Sequence, residues 1–294
     1  MKSLILFLKG AAMGAANVIP GVSGGTVAFI TGIYERLINA LKSVDLEALK
    51  LFFNGNFSEF SKRTDLNFLS ILFLGVFVSI WSLARILELA LEEYEALTLS
   101  FFFGLILASV IAVSRQVDKI SLPVILTFLA GMAIAIAVAF LPPAQSNASF
   151  FYLFLCGVVA VCSMILPGLS GSYILLLMGN YILVLRAVSE FNFSILTPMI
   201  LGCVVGLITL SRLLSYLFKN FKDQTIGILA GFVAGSLLII WPWKTTILES
   251  FDGREKATGY IWNTPVVDTQ FFLSLLLIFI GFGLVWWMER SSNK

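Results

Sequence analysis

Apolar positions fall in long blocks separated by short polar segments, rather than recurring at the spacing of an amphipathic helix or strand. About 20 consecutive apolar residues cross a bilayer as a helix. Six blocks meet that length and predict spans: Phe68–Leu91, Leu97–Ser114, Leu122–Leu141, Leu196–Phe218, Thr225–Trp243 and Phe271–Met288. Two further apolar regions, residues 4–41 and 150–185, could each hold two helices. Both are interrupted in the middle, by "NVIPGVSGGTVAF" at Asn17–Phe29 and by "MILPGLSGSYILL" at Met164–Leu176. Proline and glycine at such positions break a helix. The arms beside the first break are about 14 to 18 residues long, short for a crossing at 1.5 Å per residue. Each region therefore predicts a re-entrant hairpin, with Pro20 and Pro167 at the tips.

The two breaks belong to a longer repeat. A shift of 147 residues, half the chain, carries Gly10, Pro20, Gly21, Ser23, Gly24, Gly32 and Tyr34 onto Gly157, Pro167, Gly168, Ser170, Gly171, Gly179 and Tyr181. A shift of 127 aligns Leu74–Leu87 with Leu201–Leu214, and carries Gly104 and Ser109 onto Gly231 and Ser236. The change of offset reflects a longer linker in the first half, residues 42–65. It carries both charge signs, and an amphipathic position on the membrane surface is expected. The predicted fold is an all-α integral membrane protein of two halves, 1–146 and 147–294. Each half holds one re-entrant hairpin and three transmembrane helices, an odd number of crossings that inverts one half relative to the other. Charge agrees: with a cytoplasmic N-terminus, the inner segments hold Lys2, Lys9, Arg36, Lys42, Arg63 and Arg115 among others. The outer segments hold only Arg186, Lys244, Arg254 and Lys256. This satisfies the positive-inside rule and places both termini in the cytoplasm.

Composition narrows the chemistry. The chain is 59% hydrophobic and 12% charged, with a mean hydropathy of +0.98, about half the charge of an ordinary soluble domain. A net charge of +2 without a basic patch points to no nucleic-acid partner. Cys156, Cys162 and Cys203 lie inside apolar runs and read as packing residues. The N-terminal stretch imitates a signal peptide, but Lys9 interrupts its apolar run early, and no cleavage is expected. There is no histidine. That removes the usual general base and the commonest metal ligand, and with them hydrolases and metalloenzymes that need one. No metal or cofactor is expected.

Candidate chemistry gathers at the breaks. In the first half Pro20 and Gly21 precede Ser23, Gly24, Gly25 and Thr26; in the second, Pro167 and Gly168 precede Ser170, Gly171, Ser172 and Tyr173. Each group opens a helix whose first amides lack intrahelical partners, and glycine admits a ligand close to the backbone. Two such ends facing each other in low dielectric predict an anion site, with phosphate the anion such ends bind most readily. The alternative is that Pro-Gly merely ends a helix and the small residues let helices pack. Arg85 and Arg212 occupy equivalent positions inside apolar spans, where a guanidinium is costly and suits phosphate oxygens. They could instead snorkel to the headgroups, or Arg85 could pair with Glu88. Asn17, just before the first break, is a further substrate-binding candidate. Glu35 and Glu88 are candidate coupling residues for a proton or sodium ion.

The stretch "KGAAMGAANVIPGVSGGTVAFITGIYERLI", Lys9–Ile38, resembles the signature of the bacterial and archaeal polyprenyl-phosphate transporters of the PopT type, formerly a membrane domain of unknown function. "LPGLSGSYILLLMGNY", Leu166–Tyr181, is similar to that family's second copy of the signature, and the resemblance covers essentially the whole chain. It implies a plasma-membrane flippase, not an enzyme. Such a protein would return undecaprenyl phosphate, or a related polyprenyl phosphate, from the outer to the inner leaflet for reuse in cell-envelope glycan synthesis. Without the resemblance, a small-anion channel or exchanger fits the hairpins equally well. An intramembrane serine hydrolase, suggested by Gly-x-Ser-Gly at Gly21–Gly24 and Gly168–Gly171, would lack the histidine that activates its serine. Oligomeric state is not indicated.

Overall fold

The computed structural model describes residues 2–18, 22–251 and 254–292; the side chains of residues 2, 84, 88, 246–260 and 288–292 lie outside that description. Pro20 and Gly21, two of the expected tip residues, therefore fall outside the described residues.

The chain opens with α1 (Lys2–Val18), followed after the break by the short α2 (Gly24–Ile30) and by α3 (Tyr34–Lys42). The linker forms α4 (Leu46–Phe53) and α5 (Phe57–Arg63), and three long helices follow: α6 (Leu66–Glu93), α7 (Glu95–Ser114) and α8 (Leu122–Ala139). The same run then recurs: α9 (Phe150–Ile165), α10 (Gly171–Leu177), α11 (Tyr181–Ser189), α12 (Phe193–Asn220), α13 (Lys222–Ser236) and, after a β-hairpin, α14 (Thr269–Ser292). Matched elements have similar lengths, 17 and 16 residues for α1 and α9, 7 each for α2 and α10, and 28 each for α6 and α12. A helix of 28 residues rises about 42 Å, more than the hydrocarbon core, whereas 16 or 17 residues rise only about 25 Å.

Among the described residues five helices are long and apolar enough to cross a membrane: α6, α7, α8, α12 and α14. The chain is a multi-pass membrane protein. Its outer surface fits a lipid solvent, with Trp81 83% and Phe279 70% exposed.

Two expectations are corrected. The predicted span Thr225–Trp243 is helical only to Ser236, after which Leu237–Trp241 continue in turns closed mostly by i→i+3 bonds. The chain is also not wholly helical: β1 (Lys244–Phe251) and β2 (Arg254–Trp262) pair antiparallel from Lys244 opposite Trp262 to Phe251 opposite Arg254. Around the hairpin's base, Trp241 meets Phe103 and Trp243, and Trp262 meets Phe140, with ring centroids 4.9–5.6 Å apart. Trp262 Nε1 also donates to the Leu238 carbonyl at 2.9 Å. Amphipathic rings of this kind suit a membrane interface.

Packing follows the repeat. Helix α1 lies on α6 and α9 on α12, each within one run, whereas α7 lies on α14 and α13 on α8, each joining the two runs. Glycine makes these approaches close. A Cβ at Gly157 would fall 2.1 Å from the Met199 carbonyl oxygen and one at Gly202 2.0 Å from that of Phe154; Gly10 and Gly75 meet Leu72 and Phe7 in the same way, at 2.1 and 2.2 Å. Backbone contact of this kind replaces the hydrophobic drive that lipid removes between helices. The core forms where α2, α3, α7, α12 and α13 converge, around Phe29, Tyr34, Ile38, Leu214 and Val233. There α3 lies along α12: Ser215 Oγ donates to Asn39 Oδ1 at 3.0 Å, Lys42 Nζ donates to Ser215 Oγ at 3.0 Å, and the Tyr34 ring meets Phe218 edge-on.

In the linker, Asp45 caps α4 by accepting from the Ala48 amide at 2.9 Å and pairs with Arg63 at 2.6 Å, which also meets Glu47 at 2.7 Å. The adjacent guanidinium and the amide hold the Asp45 carboxyl below its ordinary pKa. Leu46 and Phe53 remain 75% and 80% exposed.

Candidate functional site

The two breaks come together. Helix α2 folds back on α1: the Gly24 amide donates to Asn17 Oδ1 at 2.7 Å, and a Cβ at Gly24 would strike that side chain. Helix α10 folds back on α9, with Gly171 against the Ala160 carbonyl, and then turns through 114° into α11. Three contacts interlock the tips. The Gly168 amide donates to Thr26 Oγ1 at 2.9 Å, Tyr34 Oη donates to the Ile165 carbonyl at 3.2 Å, and Gly25 packs against that same carbonyl. Ile165 ends α9, so Tyr34 satisfies a carbonyl that has no partner within its own helix. Gly168 has φ +82 and lies so close to the Phe232 carbonyl that no larger residue fits.

Beside this lock is a cavity of about 330 Å³, lined by Asn17, Val22 and Ser23 from the first break and by Ala160, Val161 and Met164 from α9. Leu169, Ser170, Gly171, Ser172 and Leu175 from the second break, with Met199 and Cys203 from α12, complete it. Its polar groups sit at the tips, and its flanks are apolar. Every lining side chain is neutral, so an anion here would be held by hydroxyl, amide and backbone donors.

The two sides are not equivalent. Ser23 is the N-cap of α2: its Oγ accepts from the Gly25 amide at 3.1 Å, and Asn17 takes the Gly24 amide. The first helix end, expected to offer its amides to a ligand, has thus used them internally. Ser170, the N-cap of α10, makes no such bond; its hydroxyl instead lies 3.0 Å from that of the exposed Ser172. With only seven residues, each short helix has a small dipole, so local hydroxyls and amides dominate rather than a full macrodipole.

Of the other candidates, Pro167 is buried in the turn that joins α9 to α10, and Tyr173 Oη reaches the Ala139 carbonyl at 3.5 Å. Thr26 is 1% exposed and serves the lock. Arg85 and Arg212 are both exposed, and neither lines the cavity. Glu35 lines a wide opening with Arg36, Asn39, Arg63 and Asp65 instead. The Glu88 side chain lies outside the described residues, and so does the alternative in which it pairs with Arg85. Sequence reasoning missed Val161, Met164, Met199 and Cys203, ordinary apolar helix residues whose place becomes visible only when α9 and α12 pack.

Fold and site define a multi-pass helical membrane protein whose two broken hairpins meet at a small amphiphilic cavity, an arrangement suited to transport. The sequence profile of the undecaprenyl phosphate translocase-like family matches residues 13–257. A polyprenyl-phosphate transporter of Vibrio cholerae is 42% identical, over 100% of this chain and 98% of the relative. Another, from Staphylococcus aureus, is 28% identical over 95% of this chain and 93% of the relative. No solved structure matches. The chain belongs to the undecaprenyl phosphate translocase-like family.

Proposed function

We propose that this protein is a flippase that carries undecaprenyl phosphate, or a related polyprenyl phosphate, from the outer to the inner leaflet of the plasma membrane for reuse in envelope glycan synthesis. The observation that carries this reading is the cavity between the hairpin tips, with Ser170 and Ser172 uncommitted to a helix cap and an apolar flank of Met164, Leu175 and Met199 beside them. A hydrated inorganic ion has no use for that flank. A lipid phosphate does, because its head needs donors while its first isoprene units need an apolar wall. Moving the head through hydrocarbon unaided would strand a charge in low dielectric, and the tip hydroxyls and amides would replace part of its lost water.

In this reading the hairpins are re-entrant and approach the midplane from opposite faces, the halves are inverted, and both termini are cytoplasmic. The neutral lining leaves the phosphate charge to be met by groups that reach it in other access states. Arg85 toward the outer side and Arg212 toward the inner side, at matched repeat positions, are the proposed partners.

The test is leaflet-resolved transport in proteoliposomes containing the purified chain, with labelled polyprenyl phosphate, the neutral polyprenol and chloride compared. Protein-dependent movement of the phosphate alone is expected. Equal movement of polyprenol, or chloride flux in its place, would overturn the reading.

A further inference from the structure

We propose that a second anion site, separate from the tip cavity, lies where the start of α1 meets α3 and the start of α6, and that it takes the phosphate headgroup of a lipid in the adjoining leaflet. A cavity of about 350 Å³ opens there, with Lys9, Arg36 and Asn67 set among apolar residues that include Leu6, Phe68 and Ile71, and with no carboxylate in its lining.

Lys9 Nζ donates to the Thr31 carbonyl at 2.7 Å, and Thr31 is the C-cap of α2, so one role of the ammonium is to close that helix end. An ammonium has three donors, and this bond uses one. Arg36 is held by Asp65, which accepts from Nε at 2.7 Å and from Nη2 at 3.1 Å, and its guanidinium lies 4.3 Å over the Phe68 ring. That clamp uses two of five donors and fixes the plane of the fork in the cavity's lining. Lys9 and Arg36 against the single Asp65 leave one positive charge. A half-buried lysine on an apolar helix of a membrane protein is itself costly enough to suggest a ligand.

The lipid character follows from the walls. On α1, Leu4, Ile5 and Leu8 are 62%, 51% and 56% exposed, so an acyl or isoprenyl chain can lie along this flank while its phosphate turns in to the two cations. The site needs neither the tip cavity nor a direction of transport; only the identity of its leaflet, the inner one for a cytoplasmic N-terminus, rests on the orientation proposed above.

Native mass spectrometry of the full chain tests this. The ligands are phosphatidylglycerol, polyprenyl phosphate, neutral diacylglycerol and inorganic phosphate; the proteins are the parent, Lys9→Gln, Arg36→Gln, Lys9→Arg and the double change Ser170→Ala with Ser172→Ala. Losing a charge-assisted hydrogen bond should weaken binding of a phosphate-bearing lipid about tenfold in each Gln variant. The parent and Lys9→Arg should keep that bound lipid, and the serine variant should keep phosphatidylglycerol, a lipid that the tip cavity is not proposed to hold. Loss with polyprenyl phosphate marks the site as a station for the transported lipid, and loss with phosphatidylglycerol alone marks it as a resident-lipid site; either supports the proposal. Parental affinity in both Gln variants, equal binding of diacylglycerol, or displacement by equimolar inorganic phosphate would overturn it. Because Lys9→Gln also removes a helix cap, Arg36→Gln decides if that variant fails to fold. Loss of binding in the serine variant alone would support the tip cavity and sink this second site.

Discussion

Replacing Thr26 by Val tests whether the tips are interlocked as described. Valine nearly matches threonine in shape but removes the only oxygen of the side chain. The Gly168 amide, 2.9 Å from Thr26 Oγ1 and pressed against the Phe232 backbone, would be left buried without that acceptor. Two magnitudes compete. A buried donor stripped of its partner costs about 1–3 kcal/mol in water-soluble proteins, whereas polar contacts between membrane helices average about 0.6 kcal/mol because the unfolded state in lipid also finds partners. Gly168 sits in a break with φ +82, where no helical ladder offers a substitute. The cost should therefore lie toward the larger range, about 1–2 kcal/mol, which corresponds to a fall of about 2–8 °C in thermal midpoint. Thr26→Ser, which keeps the oxygen, should recover most of it. Thermal unfolding in detergent, followed by the buried aromatic signal, reads both variants. If Thr26→Val melts with the parent, the bond between the two breaks contributes nothing and the lock is wrong.

Other outcomes follow from the same geometry. Gly157→Ala and Gly10→Ala should each destabilise by about 1–3 kcal/mol because their helix pairs must separate, while Gly283→Ala, with nothing within 4 Å, should be neutral in the same melts. Arg85→Ala and Arg212→Ala should each slow polyprenyl phosphate transport several-fold without loss of fold; parental rates would make them snorkelling anchors. Lys244 is half-buried, its ammonium donates to the Ile239 carbonyl, and desolvation pushes its pKa down to about 8 from 10.5. The folded state then binds fewer protons than the unfolded state between those values, so stability should rise as pH goes from about 8 to about 10.5. Lys244→Met should abolish that rise, and a flat profile in the parent would refute the assignment.

The breaks were legible because Pro-Gly inside an apolar run has few structural meanings, and the long helices because lipid demands length. The β-hairpin was not read, although Asp252-Gly253 between Lys244–Phe251 and Arg254–Trp262 is a recognised hairpin signal; the length of apolar block that marks a span passes over strands of eight and nine residues. The overlong reading of Thr225–Trp243 has the same source, since hydropathy cannot tell an α-helix from the tighter turns after Ser236. At the site, Ser23 and Ser170 look alike in sequence. Their difference depends on Asn17 and Ser172, one reaching across a hairpin and the other pairing locally. Lys9 stood out only as an interruption of an apolar run, because its partner at Thr31 is brought to it by the fold.

The central claim is that the phosphate travels through the tip cavity. It is tested most directly by leaflet-resolved transport of labelled polyprenyl phosphate in proteoliposomes containing the double variant Ser170→Ala with Ser172→Ala. Losing two neutral donors at about 1 kcal/mol each predicts a rate at least about tenfold below the parent, with an unchanged thermal midpoint. A well-folded double variant that carries the lipid at the parental rate would contradict the account.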